Sequence, residues 1–484
     1  MIPTSSVFDQ SVMTAMLDHD PVVAQYRAFF SFLDWSLVEH FEAQRTGPGR
    51  PAHPESAYLK AFLIRQNEGF IYTSQLRRFL LRHPLLVIDL GFHLVLDPNA
   101  TYGFDIDKTL PCRYWLTEKL QGLDQDLLQA LLQATVVALQ QEIPGLGEVM
   151  AFDVKHIYAW VKENNPRVYV KDRYAKDQVL AGDPDCKLGV KRSSNRTISD
   201  ASDQPQPSSA EPSVPTATST QHNPPSAASS RTPSSDSKEK QGKQEKKGKK
   251  EEKEYLWGYG SGVAAATDPV YGEVVFAEHT LTFNEADLTY FRPLLRRAVL
   301  ACGHYPTYLA ADAAFDCWSI HTCCAPGGFA AVPLRKVTKT IFDPDGVPLC
   351  VRGLRMHPSY QFQHTYGYRA QRYRCPLLFP LRTGETCEHE QFGKQKGCVK
   401  DINIELGGLR RVLLDRSSPQ YHAVYNQRTA CERINSMSQA LGIERPKVRN
   451  GRSVAHLNTL IYVIINVRAL AKAKSINSGL LLMN

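Results

Sequence analysis

Three acidic residues in this chain have types and settings that could do chemistry. Val149–Trp160 reads V-M-A-F-D-V-K-H-I-Y-A-W, an apolar run with one carboxylate, Asp153, inside it and Pro144 and Gly145 upstream. That is the pattern of a buried strand carrying an acid. A buried carboxylate is costly unless it is paired or holds a metal. For one such residue alone, a strand-end Asp hydrogen-bonded to a turn is the plainer reading. The pattern recurs, however, in Pro306–Ala314 (P-T-Y-L-A-A-D-A-A), where a second short apolar run ends in Asp312 before a helix-like start. The third acid, Glu432, follows Tyr425 and Arg428 at i, i+3, i+7 spacing, which predicts all three on one helical face.

Two strand-end aspartates and one helical glutamate can converge at the carboxyl end of a mixed sheet. Hard divalent cations take oxygen ligands of that kind, and paired metals catalyse in-line displacement at phosphorus. A second group, Arg445, Lys447, Arg449 and Arg452, falls between the last two expected helices. It suits phosphate contact and a solvated loop about equally.

On these residues the chain resembles the DDE transposases of bacterial insertion sequences, and within them the insertion-sequence-four-like group. That group's glutamate helix carries Y-x2-R-x3-E-x6-K; Tyr425, Arg428 and Glu432 match, and Gln439 stands where the lysine would be. The departure touches only the lysine's DNA contact. Gly182-Asp183-Pro184-Asp185 and Trp257-Gly258-Tyr259 also resemble segments between the first two acids of such enzymes. The resemblance implies an α/β fold: an RNase H-like catalytic core with a helical N-terminal region and a β-rich insertion. It implies Mg²⁺, with Mn²⁺ as a substitute, held by Asp153, Asp312 and Glu432 for cleavage at element ends and strand transfer into a target. It further implies DNA contacts by Tyr425, Arg428, Arg445, Lys447, Arg449 and Arg452, and a homodimer in the synaptic complex. Two other functions stay open: a metal-dependent nuclease without strand transfer, and a non-catalytic DNA-binding descendant, against which the intact acids argue.

The elements that must position these residues are read from pattern. The 484 residues exceed a single ordinary domain, and the net charge of +8 is compatible with a polyanionic partner without requiring one. Eleven cysteines without dense even spacing suggest reduced thiols in a cytosol. The first ten residues lack a basic segment followed by an apolar core, and the apolar run Leu457–Val467 is too short to span a bilayer, so a soluble protein without a membrane partner is expected.

Residues 1–145 read as helical, with a helix over Tyr26–Phe41, two short helices around Leu59 and Leu76, and an amphipathic helix over Leu123–Gln141. Arg77, Arg78 and Arg82 on the second short helix suit either a solvated face of a bundle or, following the resemblance, DNA at the element ends. Residues 146–192 begin the core, with a polar loop over Gly182–Gly189. Residues 193–254 are Ser/Pro/Thr-rich and then Lys/Glu-rich, with almost nothing to bury, and are expected to be a disordered insertion. Residues 255–340 continue the core as a hairpin, a helix capped by Asn284, and the Asp312 strand. Residues 341–404 form the inserted β-rich subdomain, and 405–484 complete the core with the glutamate helix and an apolar helix over His456–Lys474. In and beside the insertion lie Cys350, Cys375, Cys387 and Cys398, without a C-x2-C pair, so buried free thiols are favoured over zinc.

Overall fold

The computed structural model describes residues 10–43, 52–192, 253–335 and 340–483. Nearly all of the expected insertion at 193–254 therefore lies outside the described residues. The chain begins with helices α1 (Gln10–His19), α2 (Pro21–Phe30), α3 (Ser36–Ala43), α4 (Glu55–Asn67), α5 (Thr73–Leu81), α6 (Pro84–Leu90), α7 (Ile106–Thr109), α8 (Arg113–Gln121) and α9 (Gln125–Glu142). The helix expected over Tyr26–Phe41 is two helices. Asp34 accepts the Ser36 N–H at 3.0 Å and the Trp35 indole donates to the Phe30 carbonyl at 2.9 Å, so the segment closes as a turn.

The strands are β1 (Val149–Tyr158), β2 (Lys187–Arg192), β3 (Lys253–Asp268), β4 (Gly272–Thr282), β5 (Tyr308–Ala311) and β6 (Phe329–Ala331). The sheet runs β2-β3-β1-β5-β6, with β4 also on β3. β3 is antiparallel to both β1 and β4, whereas β1, β5 and β6 are parallel. The result is a mixed α/β fold. Residues Gly182–Gly189, expected as loop, already enter β2 at Lys187, where Lys-Leu-Gly-Val-Lys-Arg alternates at strand period.

Helix α10 (Asp287–Cys302) packs on one face of the sheet. Two glycines of β3 permit its approach. A Cβ on Gly260 would stand 2.3 Å from the Tyr290 hydroxyl, and one on Gly262 2.7 Å from the Tyr290 ring. The helix starts three residues past the expected cap Asn284, because Glu285 N–H first closes a turn on the Thr282 carbonyl.

Helices α11 (Leu406–Leu413), α12 (Pro419–Asn426), α13 (Thr429–Ala440) and α14 (Gly451–Met483) complete the chain. α14 is longer than the expected His456–Lys474. Asn450, at φ +69, caps it by accepting the Ser453 N–H at 2.8 Å. Its apolar stretch is long enough to cross a membrane, contrary to the expectation from Leu457–Val467, but 78% of that stretch is buried inside the protein. It packs on α4, α9 and β4, and one hydrophobic core joins the early helices to α12, α13, α14 and the sheet. Buried polar groups fix its register. The Asn466 amide exchanges hydrogen bonds with both backbone groups of Val275 in β4, and Thr459 donates to the buried Glu278 carboxylate at 2.7 Å.

A separate three-stranded antiparallel sheet, β7 (His357–Gln363), β8 (Arg369–Arg374) and β9 (Val399–Asn403), lies between β6 and α11 with a small core of its own.

Candidate active site

The parallel register of β1 and β5 pairs Val149 with Tyr308 and ends with Phe152 opposite Ala311. Asp153 and Asp312 are each the next residue. Asp312 follows the last residue of β5, whereas Asp153, expected at a strand end, lies inside β1 and stays paired with Val263 of β3. The two stand side by side where the parallel β1–β5 ladder ends, at a strand spacing of about 4.8 Å. Alternation decides their direction: Met150 and Phe152 enter the core under α10, while Ala151 faces the opposite core, and Asp153 shares its side. Asp312 accepts the Ala314 N–H at 2.8 Å and caps the short 3₁₀ turn that follows.

Asp153 accepts the Val154 N–H at 2.9 Å and the Asn435 side-chain amide at 3.3 Å. Burial, reinforced by the charge of Asp312, raises its pKa to about 7. Asp287, the first residue of α10, is raised to about 6 by burial and again by Asp312. Neither Asn435 nor Asp287 was singled out from sequence. Asn435 had a signal, since it lies three residues beyond Glu432 on the same helical face; Asp287 had only its place at a helix start.

The helix expected to carry Tyr425, Arg428 and Glu432 together is divided. α12 ends at Asn426 and α13 starts at Thr429, and between them Gln427 and Arg428 make i→i−3 bonds to Val424 and Tyr425. Tyr425 is thus on α12, where it stacks on Tyr421 at 5.9 Å, and its buried hydroxyl has no hydrogen-bond partner among the described residues. Arg428, at the junction, donates to Glu432 at 2.5 Å. Burial works against its charge, but the charge of Glu432, followed by Tyr425 and Asp153, outweighs it and raises its pKa. The structure therefore brings Asp153 and Asp312 together and sets the helix of Glu432 beside Asp153 through Asn435, while Glu432 itself is half exposed and paired with Arg428. Among the described residues no three acidic, His or Cys side chains already stand at metal-ligand spacing.

A pH dependence follows from Asp153. Its folded value of about 7 lies above the ordinary 3.8, so the metal-free folded protein holds a proton that the unfolded chain releases. The associated stability is complete below about pH 4 and is lost as pH rises through about 7. Asp153→Asn removes the charge that must be buried at high pH. The melting temperature of the metal-free variant minus that of wild type should therefore grow from pH 4 to 8, on the order of a few °C. Thermal scans across that range check it; a difference that does not change with pH would mean Asp153 ionises as in free solution.

Further from the acids, Arg445 stacks over Tyr158 at 4.4 Å, and Lys447 and Arg449 lie over Trp160 at 5.5 and 5.1 Å. Together they line a groove of about 420 Å³. Arg452 is not part of it: its guanidinium donates to the Leu123 carbonyl at 3.1 Å. In the helical region, Arg77 is likewise committed to Asp107 and the Pro111 carbonyl, while Arg78 and Arg82 are exposed.

Compared with known proteins, residues 217–467 match a family model described as "Transposase DDE domain", which spans just over half of the chain. The match includes Asp312 and Glu432 and begins after Asp153. No curated protein matches the chain significantly.

Proposed function

The chain belongs to the transposase DDE domain family, and from that premise we propose that it cleaves DNA at the ends of an insertion sequence and joins them to a target. The observation that carries the reading is the adjacent placement of Asp153 and Asp312 beside the helix of Glu432. The sheet supports an RNase H-like core, with an antiparallel hairpin, β3 and β4, next to β1 and the parallel strands β5 and β6. Tyr425, Arg428 and Glu432 support a place in the insertion-sequence-four-like group.

The acids fit divalent metal. Two aspartates crowded together, one with its pKa raised to about 7, repel each other, and a dication relieves that repulsion. The buried side-chain oxygen of Asn435, whose nitrogen bonds Asp153, has no hydrogen-bond partner among the described residues. Asp153, Asp312 and Glu432 would hold Mg²⁺ or Mn²⁺. Such ions supply activation of the attacking oxygen and stabilisation of the leaving one. The chain's own residues do the rest. Asp153 gives up its proton as the site is charged, and Asn435 keeps its carboxylate oriented. Arg428 holds Glu432 until a phosphate competes for its planar donor fork. Arg445, Lys447 and Arg449, steadied over Tyr158 and Trp160, present cations to the DNA backbone. Two copies would bridge the two ends of the element, in the cytoplasm.

The deciding experiment incubates the protein with Mg²⁺, DNA carrying the flanks of its gene, and a supercoiled target. Cut ends and joined products are expected. Cutting without joining would leave a nuclease, and neither product would leave a DNA-binding descendant.

Arg428 separates a DNA contact from a structural pair. Arg428→Ala should weaken DNA binding and cleavage together by about tenfold, with partial recovery in Arg428→Lys, and should reduce the salt dependence of binding by about one unit of slope. If the slope is unchanged and the melting temperature falls, Arg428 serves Glu432 alone.

A further inference from the structure

The four cysteines of the small sheet are far apart in sequence and converge in space. Arg374 of β8 pairs with Val399 of β9, so Cys375 and Cys398 occupy the next opposed positions at the end of that ladder. A Cβ on Gly397 would lie 3.0 Å from the Cys375 sulfur, which shows how closely the chain before Cys398 approaches it. Cys350 lies in a tight turn leading into β7, where its N–H bonds the Leu354 carbonyl at 2.8 Å and its carbonyl accepts from Gly353 at 2.9 Å. Arg352 in that turn donates to Glu385 and to the Thr386 carbonyl, which draws the Cys387 loop to the same place. Cys350, Cys375 and Cys398 are buried in one cluster with Met356 and Leu377, and Cys387 packs against it. Burial raises the Cys398 thiol, and the other three sulfurs raise it further.

We propose that Cys350, Cys375, Cys387 and Cys398 form a structural zinc site at one end of the three-stranded sheet. Four thiolates in a tetrahedron, with Zn–S of about 2.3 Å, are the ligand set of closed structural sites. The Val351 N–H, in the turn that carries Cys350, bonds the Cys398 sulfur, a backbone contact of the kind that orients thiolate ligands. Among the described residues the four thiols do not stand at ligand spacing without metal; zinc binding would draw them together, and they would release their protons to the solvent. The sheet has reason to need the metal. Beyond its packing on α11, its own core is small, five buried residues of which three are these cysteines.

The test uses the full chain, purified without chelator under reducing conditions. Elemental analysis should find zinc near one per chain, and exchange with Co²⁺ should give the thiolate-to-cobalt charge-transfer band of a tetrahedral four-sulfur site. Titration of wild type with a mercurial thiol reagent should release the zinc in step with thiol loss, a readout that needs no variant to fold. Cys375→Ser with Cys398→Ser should abolish bound zinc. Absence of zinc with no charge-transfer band, a disulfide among these four residues, or zinc retained by the double variant would each overturn the assignment.

Discussion

Asp153→Asn, Asp312→Asn and Glu432→Gln should each lower DNA cleavage by about 10³-fold or more, equivalent to roughly 4 kcal/mol of barrier. The amides preserve shape and remove the charge that a dication requires. Binding of DNA should change little, because the cations over Tyr158 and Trp160 are engaged in their own stacking contacts and make no use of the three carboxylates. A second measurement separates metal loss from a damaged fold. Mg²⁺ or Mn²⁺ at about 100 times its dissociation constant stabilises a protein that binds it by about 2.7 kcal/mol. Wild type should show a corresponding rise in melting temperature and the aspartate variants should not. For Asp153→Asn the metal-free protein should be at least as stable as wild type near neutral pH, since the repulsion from Asp312 is gone. Near-wild-type cleavage by any one of the three variants would remove that residue from the site.

The largest effect on stability is expected at Asn466. Its side-chain oxygen accepts the Val275 N–H at 2.9 Å, and its nitrogen donates to the Val275 carbonyl at 2.8 Å and to the Thr135 hydroxyl at 2.9 Å. One amide thus completes the hydrogen bonding of a buried β4 residue and ties α14 to both β4 and α9. Asn466→Leu has a similar volume and leaves two backbone groups unpaired in the core. The cost should be about 2–4 kcal/mol, read as a shift of the urea midpoint at constant slope. Asn466→Asp keeps the acceptor, loses both donors and buries a charge, so it should cost at least as much. A loss below about 0.5 kcal/mol for Asn466→Leu would show that the amide contributes little beyond its volume.

What the sequence determined by itself is local. Short apolar runs carrying Asp153 and Asp312 marked two strands, with only Asp312 at a strand end and Asp153 within β1, because burial period and the cost of a lone acid act within a few residues. The Tyr425–Arg428–Glu432 spacing marked the helical acid in the same way, though it could not show the break at Gln427–Arg428, where i→i−3 bonds replace a straight helix. Tertiary structure alone decided the partners. The adjacency of Asp153 and Asp312 depends on the β1–β5 register, a pairing of residues more than 150 positions apart. It also decided that Asn435 meets Asp153, and that Arg452 turns to Leu123 while its three basic neighbours line a groove. The cysteines make the contrast sharpest. Their spacing gave no sign that they cluster, because close pairs are what proximity along the chain can reveal, whereas two opposed strand ends, one tight turn and one loop bring distant ones together with no local trace.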